Sequence, residues 1–141
     1  MNKVALMIMV TLLTQIPGSR GNIIVNVDNF RSNKGEVRIA LFNSESGFPD
    51  KPEKAYRRIK GEIKHKRSEL YFNSLHFGVY AISLFHDENS NGKIDTNWLG
   101  IPTEGYGFSN DAKASVGPPS FEDAKFELNS GRMNMRIKLQ Y

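Results

Sequence analysis

The amino-acid sequence predicts an all-β fold: an antiparallel β-sandwich of about seven strands with one long irregular loop region. Three observations carry this expectation. Short runs alternate apolar and polar residues at the two-residue period of a half-buried strand. Clusters of Gly, Pro, Asn and Ser punctuate those runs as turns do. No long stretch shows the period of an amphipathic helix, and short strands with frequent turns are the pattern of stacked sheets.

Each element follows from its own residues. In NIIVNVDNF, from Asn22 to Phe30, Ile23, Val25 and Val27 share one face of a strand. RSNKG supplies turn residues, and in EVRIALFN the residues Val37, Ile39 and Leu41 again share a face. Two alternating runs joined by a Gly-containing loop predict a β-hairpin. NSESGFPDKPEK is a loop; AYRRIKGEIKHKR is a strand with Gly61 marking a bend or bulge, and ELYFNSL is another short strand. GVYAISLFHD, Gly78 to Asp87, is apolar on both faces, which predicts a central strand. From Glu88 to Ser120 the chain is rich in Gly and Pro and lacks periodicity; loops of that length in a small domain are functional or braced. Ser120 stands as an N-cap to a single helical turn, with Glu122 and Asp123 as dipole partners in its first turn. FEDAKFELN and RMNMRIKLQY flank Ser130-Gly131 and predict a second hairpin.

Composition bounds the rest. The 141 residues begin with Lys3, an apolar run from Val4 to Leu13, and the Pro17-Gly18 break, the layout of a secretory signal peptide over residues 1–21. That leaves one domain over 22–141, with a periplasmic or secreted location expected and no transmembrane segment after cleavage, because the apolar run is too short to span. There is no Cys, which excludes a disulfide framework and thiolate metal sites. The formal charge of +4 falls to about +2 without Lys3 and Arg20, and an exported chain of that charge is not expected to meet nucleic acid. The basic segment from Tyr56 to Arg67 reads as a solvated strand face, with an anionic polymer or membrane surface as the alternative.

The stretch HDENSNGKID, His86 to Asp95, carries the most chemistry. Oxygen-bearing side chains at Asp87, Asn89, Asn91 and Asp95, with Gly92 to allow a sharp reversal, suit a hard cation such as calcium. The pattern resembles the first nine residues of an EF-hand or dockerin loop, which implies side-chain ligation by those four residues and a carbonyl from Lys93. The twelfth position holds Trp98 instead of an acid, so Glu104 is the candidate for the missing carboxylate. The competing reading is a plain type I′ turn at Asn91-Gly92 with the acids facing water. His86 lacks partners at zinc spacing and reads as a packed, hydrogen-bonded histidine. Trp98, Tyr106 and Phe108 either cap the sandwich or form a platform for a sugar ring or an apolar ligand.

HDENSNGKIDTNWLGIPTEGYGFSNDA, followed by GPPSFEDAKFEL, resembles the uncharacterised bacterial family known as domain of unknown function 2141; GVYAISLFHDEN and the opening run with its Lys34-Gly35 turn fit the same family. The resemblance implies an exported protein with a small sandwich, prealbumin-like or immunoglobulin-like, and implies no activity. Together these readings lead to an expected calcium-stabilised, non-catalytic binding or accessory module of the cell envelope, with a carbohydrate or another envelope component as partner. The alternatives are a structural envelope protein whose loop serves stability only, and a hydrolase using Asp87, Glu104 or His86; no nucleophile elbow or two-His metal site supports the last.

Overall fold

A computed structural model describes residues 18–141. The expected signal segment therefore lies outside the described residues up to position 17. In one sheet, β1 (Arg20–Asp28) sits between β4 (Ser68–His76) and β8 (Arg132–Lys138). In the other, the order is β3 (Arg57–Gly61), β2 (Glu36–Phe42), β5 (Gly78–Asp87) and β6 (Tyr106–Phe108), and the short β7 (Phe126–Leu128) also pairs with β5. The eight described strands form the expected all-β, two-sheet architecture, with β5 in its expected central place.

The alternation in the sequence becomes the core. Ile23, Val25 and Val27 of β1 face Val37, Ile39 and Leu41 of β2 and Tyr80, Ile82 and Leu84 of β5, and all are buried. Each such side chain stabilises the fold by about 1.5–3 kcal/mol relative to exposure. Phe72, Leu75, Ile137 and Leu139 close the same cluster.

Both expected hairpins are corrected. β1 and β2 lie in opposite sheets, and so do β7 and β8. After β1 the chain arches over the end of the sandwich through Asn29 (φ 69°) and Gly35 (φ 68°), with Phe30 buried beneath the arch. A tight turn would have left that ring in water. β8 pairs with β1 in parallel, from Asn22↔Arg132 to Asp28↔Lys138, so the sandwich is not wholly antiparallel. A parallel neighbour needs a long connection, and here nearly the whole chain provides it.

The single helical turn stands where expected: α1 covers Phe121–Ala124, and the Ser120 hydroxyl accepts the Asp123 N–H at 3.2 Å. At the other end of the chain, Arg20 and Gly21 already belong to β1, and Ser19 accepts the Phe77 N–H at 3.1 Å. The boundary expected after Gly21 thus falls inside a strand.

Candidate functional site

The loop from Glu88 to Gly105 leaves the end of β5 and returns on β6. Its base is organised by carboxylates that accept backbone N–H groups. Asp87, the last residue of β5, is fully buried. Its Oδ1 accepts from the Asn91 N–H at 3.1 Å and its Oδ2 from the Gly92 N–H at 2.8 Å. The same Oδ2 receives the Arg38 Nε–H at 2.7 Å. Arg38 stands on the outer face of β2 and is joined from its other side by Glu36 at 2.6 Å. A buried carboxylate is tolerated only when paired and hydrogen-bonded, and Asp87 has both.

Glu104 is also buried. Its oxygens accept the N–H of Asp95 at 2.7 Å and of Glu88 at 2.6 Å, so it straps the two ends of the polar segment together. Asp95 sits between them. Its Oδ2 receives the Asn89 side-chain N–H at 2.6 Å and its Oδ1 that of Asn91 at 2.7 Å. The amide oxygens of Asn89 and Asn91 turn back onto the N–H groups of Asn91 and Lys93, at 3.3 and 3.0 Å. Lys93 itself is exposed.

The structure therefore gathers Asp87, Asn89, Asn91, Asp95 and Glu104 into one compact loop. It is not a type I′ turn at Asn91-Gly92: Ser90 (φ 56°) and Gly92 (φ 82°) take the left-handed backbone, and Asn91 does not. The acids of Asp87 and Glu104 do not face water either. Among the described residues no cluster of three or more His, Cys, Asp or Glu is arranged to hold a metal ion.

His86 is buried beside this loop. Its Nε2 lies 2.6 Å from the Lys34 carbonyl, to which it must donate, leaving Nδ1 to accept from the Tyr141 hydroxyl at 2.9 Å. That hydroxyl in turn accepts the Arg31 N–H at 3.0 Å. The Phe30 ring meets the imidazole edge-on at 5.1 Å. A Cβ at Gly105 would stand 2.5 Å from the Tyr141 ring, so any larger residue there would have to displace that ring. Arg31 forks onto Glu88 and reaches the Thr103 carbonyl at 3.1 Å. The guanidinium holds the Glu88 carboxyl below the usual carboxylate value, chiefly through their hydrogen bond.

Above this base the chain forms a small finger. Thr103 N–H donates to the Asp95 carbonyl at 2.8 Å, Asn97 N–H to the Ile101 carbonyl at 2.9 Å, and Thr96 bridges Pro102. The Asn97 side chain accepts the N–H groups of Leu99 and Ile101 at 2.9 and 3.1 Å. The apolar residues at its tip face solvent: Trp98 is 90% exposed, Leu99 61% and Ile101 55%. Trp98 makes no ring contact with Tyr106 or Phe108. Those two rings lie 5.9 Å apart on β6, and Phe108 packs against Phe48. The three aromatics grouped by sequence proximity thus occupy two places.

Sequence reasoning missed Arg38 and Arg31. Arg38 had a signal: in the alternation of β2 it falls on the solvent face, where a charged residue at a strand end can reach a neighbouring acid. Arg31 had none beyond its place in a turn.

No curated protein and no solved structure matches the chain. One family model does, over residues 25–136, which takes in both sheets and the whole β5–β6 loop. The chain therefore belongs to the family described as an uncharacterized protein conserved in bacteria, DUF2141.

Proposed function

We propose that the protein is an exported, non-catalytic accessory or binding module of the bacterial cell envelope, working through the loops at one end of its sandwich. One observation carries this reading: the groups that would do chemistry are committed to structure, while the apolar tip is not. Both oxygens of Asp87 and of Glu104 accept backbone N–H groups, and both ring nitrogens of His86 are hydrogen-bonded. Hydrolysis by two carboxylates needs at least one of them able to reach a substrate proton. Trp98, by contrast, stands almost wholly in solvent, and Leu99 and Ile101 stand mostly so. Export is supported by the arrangement of residues 1–21. Fractionation of cells expressing the full chain tests it: a shortened protein in the periplasm or medium is expected, and a full-length cytoplasmic protein would overturn the proposal.

A second reading, calcium at the loop, has its own support. The side chains of Asn89 and Asn91 each lie within hydrogen-bonding distance of the Asp95 carboxylate. Rotating the two amides would turn oxygens toward the same point, at the cost of their bonds to the Asn91 and Lys93 N–H groups. The charge is low, because Arg38 already balances Asp87 and Glu104 is held by two amides. Asp95 is left as the main carboxylate, and affinity on the order of 10⁻³ M follows, in the weak range of oxygen-ligand loops. Calorimetric titration with calcium decides: saturable heat with a rise in Tm supports occupancy, and neither heat nor a Tm shift at several millimolar removes it.

A further inference from the structure

We infer that this end of the sandwich docks on an anionic lipid surface, with Trp98, Leu99 and Ile101 entering the interface and the neighbouring loops supplying positive charge. The inference deepens the reading of this end as a binding surface, but it does not depend on calcium.

The argument begins with which loops share the end. Asn33 of the β1–β2 arch accepts the Lys66 N–H at 2.7 Å, tying that arch to the β3–β4 turn. Arg31 of the same arch holds Glu88 and Thr103, tying it to the base of the finger. Three loops are thereby fastened into one surface.

Its charges are sorted by sign. Most acids are paired or inward: Asp87 and Glu104 are buried, Glu88 is paired with Arg31, Glu36 with Arg38 and the exposed Glu62 with Lys64, while Asp95 keeps its charge beside two asparagine amides. The bases are outward. Lys34, Lys66, Arg67 and Lys93 are all exposed, and none forms an ion pair with a described residue.

The tip supplies the second requirement. One weak signal holds a protein on a membrane only marginally, whereas an apolar insertion combined with a polybasic patch holds it stably. Tryptophan favours the headgroup level, with its ring in the apolar boundary and its N–H in water. A convex finger held by its own hydrogen bonds suits a fluid interface, which needs no complementary groove.

The chain contains a single tryptophan, so Trp98 emission reports on this tip alone. That matters because the apolar N-terminal run would itself bring the full chain down with lipid, and co-sedimentation would not discriminate. The purified full chain is titrated, in EDTA, with vesicles of phosphatidylcholine and with vesicles also containing phosphatidylglycerol. With the anionic vesicles the emission is expected to shift to the blue and to be quenched by brominated acyl chains. Replacing Leu99 and Ile101 by Asp should abolish the shift without changing the fold's circular dichroism. Lys66→Asn with Arg67→Gln, in which Asn suits the left-handed backbone at position 66 (φ 58°), should weaken the partitioning seen by Trp98 about 30-fold. An unshifted spectrum on anionic vesicles overturns the inference. So does an equal shift on both kinds of vesicle, which would leave the basic loops without a role. Either failure leaves the export and calcium tests untouched.

Discussion

The two halves of the β5–β6 loop differ in where their groups go. From Asp87 to Asp95 the carboxylates and amides turn onto one another and the backbone: the buried Asp87, Asp95 and two asparagine amides, with Glu104 reaching back from beyond the span. From Thr96 to Pro102 the backbone is satisfied locally by Asn97, and the apolar side chains turn outward. The first half resembles an interior built from polar groups, and the second a surface built from apolar ones. Stability should therefore reside in the base and be nearly absent from the tip. A long loop can be ordered at its root and still present a surface that the fold itself does not need.

The contrast breaks most visibly at Asp87. Asp87→Ala removes the acceptor of two backbone N–H groups and the buried partner of Arg38. Unsatisfied buried donors cost about 1–3 kcal/mol each, and breaking a buried ion pair costs more. Arg38 keeps Glu36 and part of its hydration, so the total expected is about 3 kcal/mol, measured by chemical denaturation. Asp87→Asn, which retains an acceptor but loses the charge, should cost about half as much. If Asp87→Ala is neutral, the base is not the stable half.

Glu104→Gln is the next test. The amide keeps one acceptor and turns an N–H donor toward the other backbone N–H, that of Glu88 or Asp95. A loss of about 2 kcal/mol is expected. Hydrogen exchange at these two amides should quicken, while the amides of β1 and β2 stay protected.

These residues also show what the sequence could and could not say. The strands were legible because alternation records which side chains face inward, and the faces assigned to β1 and β2 are those found buried, while β5, read as apolar on both faces, is central but leaves Val79 exposed. Pairing was not legible. The same alternation serves two strands that hydrogen-bond and two that face each other across a core, so β1 with β2, and β7 with β8, read as hairpins when each pair spans both sheets. The parallel β1–β8 ladder joins residues more than a hundred positions apart, beyond any local pattern. At the loop, Asn89 and Asn91 meet Asp95 through their amide N–H groups, Asp87 is taken up by the backbone and Arg38, and Glu104 accepts from Asp95 and Glu88. Spacing could not disclose that the charge facing Asp87 is a guanidinium from β2.

A smaller effect belongs to the Arg31–Glu88 pair, which ties the arch to the base. Its folded-state carboxyl lies below its ordinary value because Arg31 hydrogen-bonds it. The stabilisation is thus fully present above the ordinary glutamate value, near about pH 4.3, and is lost as pH falls through the depressed folded value. Solvent reaches both partners, so the contribution is about 0.5 kcal/mol. Stability of the native protein and of Glu88→Gln should converge below the folded pKa and diverge above it. Parallel curves across that window would remove Glu88 from the account.

The smallest effect tests the other half directly. Trp98 is 90% exposed, and its neighbours Leu99 and Ile101 are mostly in solvent. Truncating a residue that buries so little forfeits almost no transfer free energy and leaves no cavity. Trp98→Ala should leave the denaturation midpoint within about 0.5 kcal/mol of native. The finger's backbone should hold as well, since its bonds come from Asn97, Asp95 and Thr103 and none from the indole. A loss approaching that of Asp87→Ala would mean that the indole packs on the protein in solution. The tip would then be part of the fold, and its apolar residues would no longer require a partner to account for them.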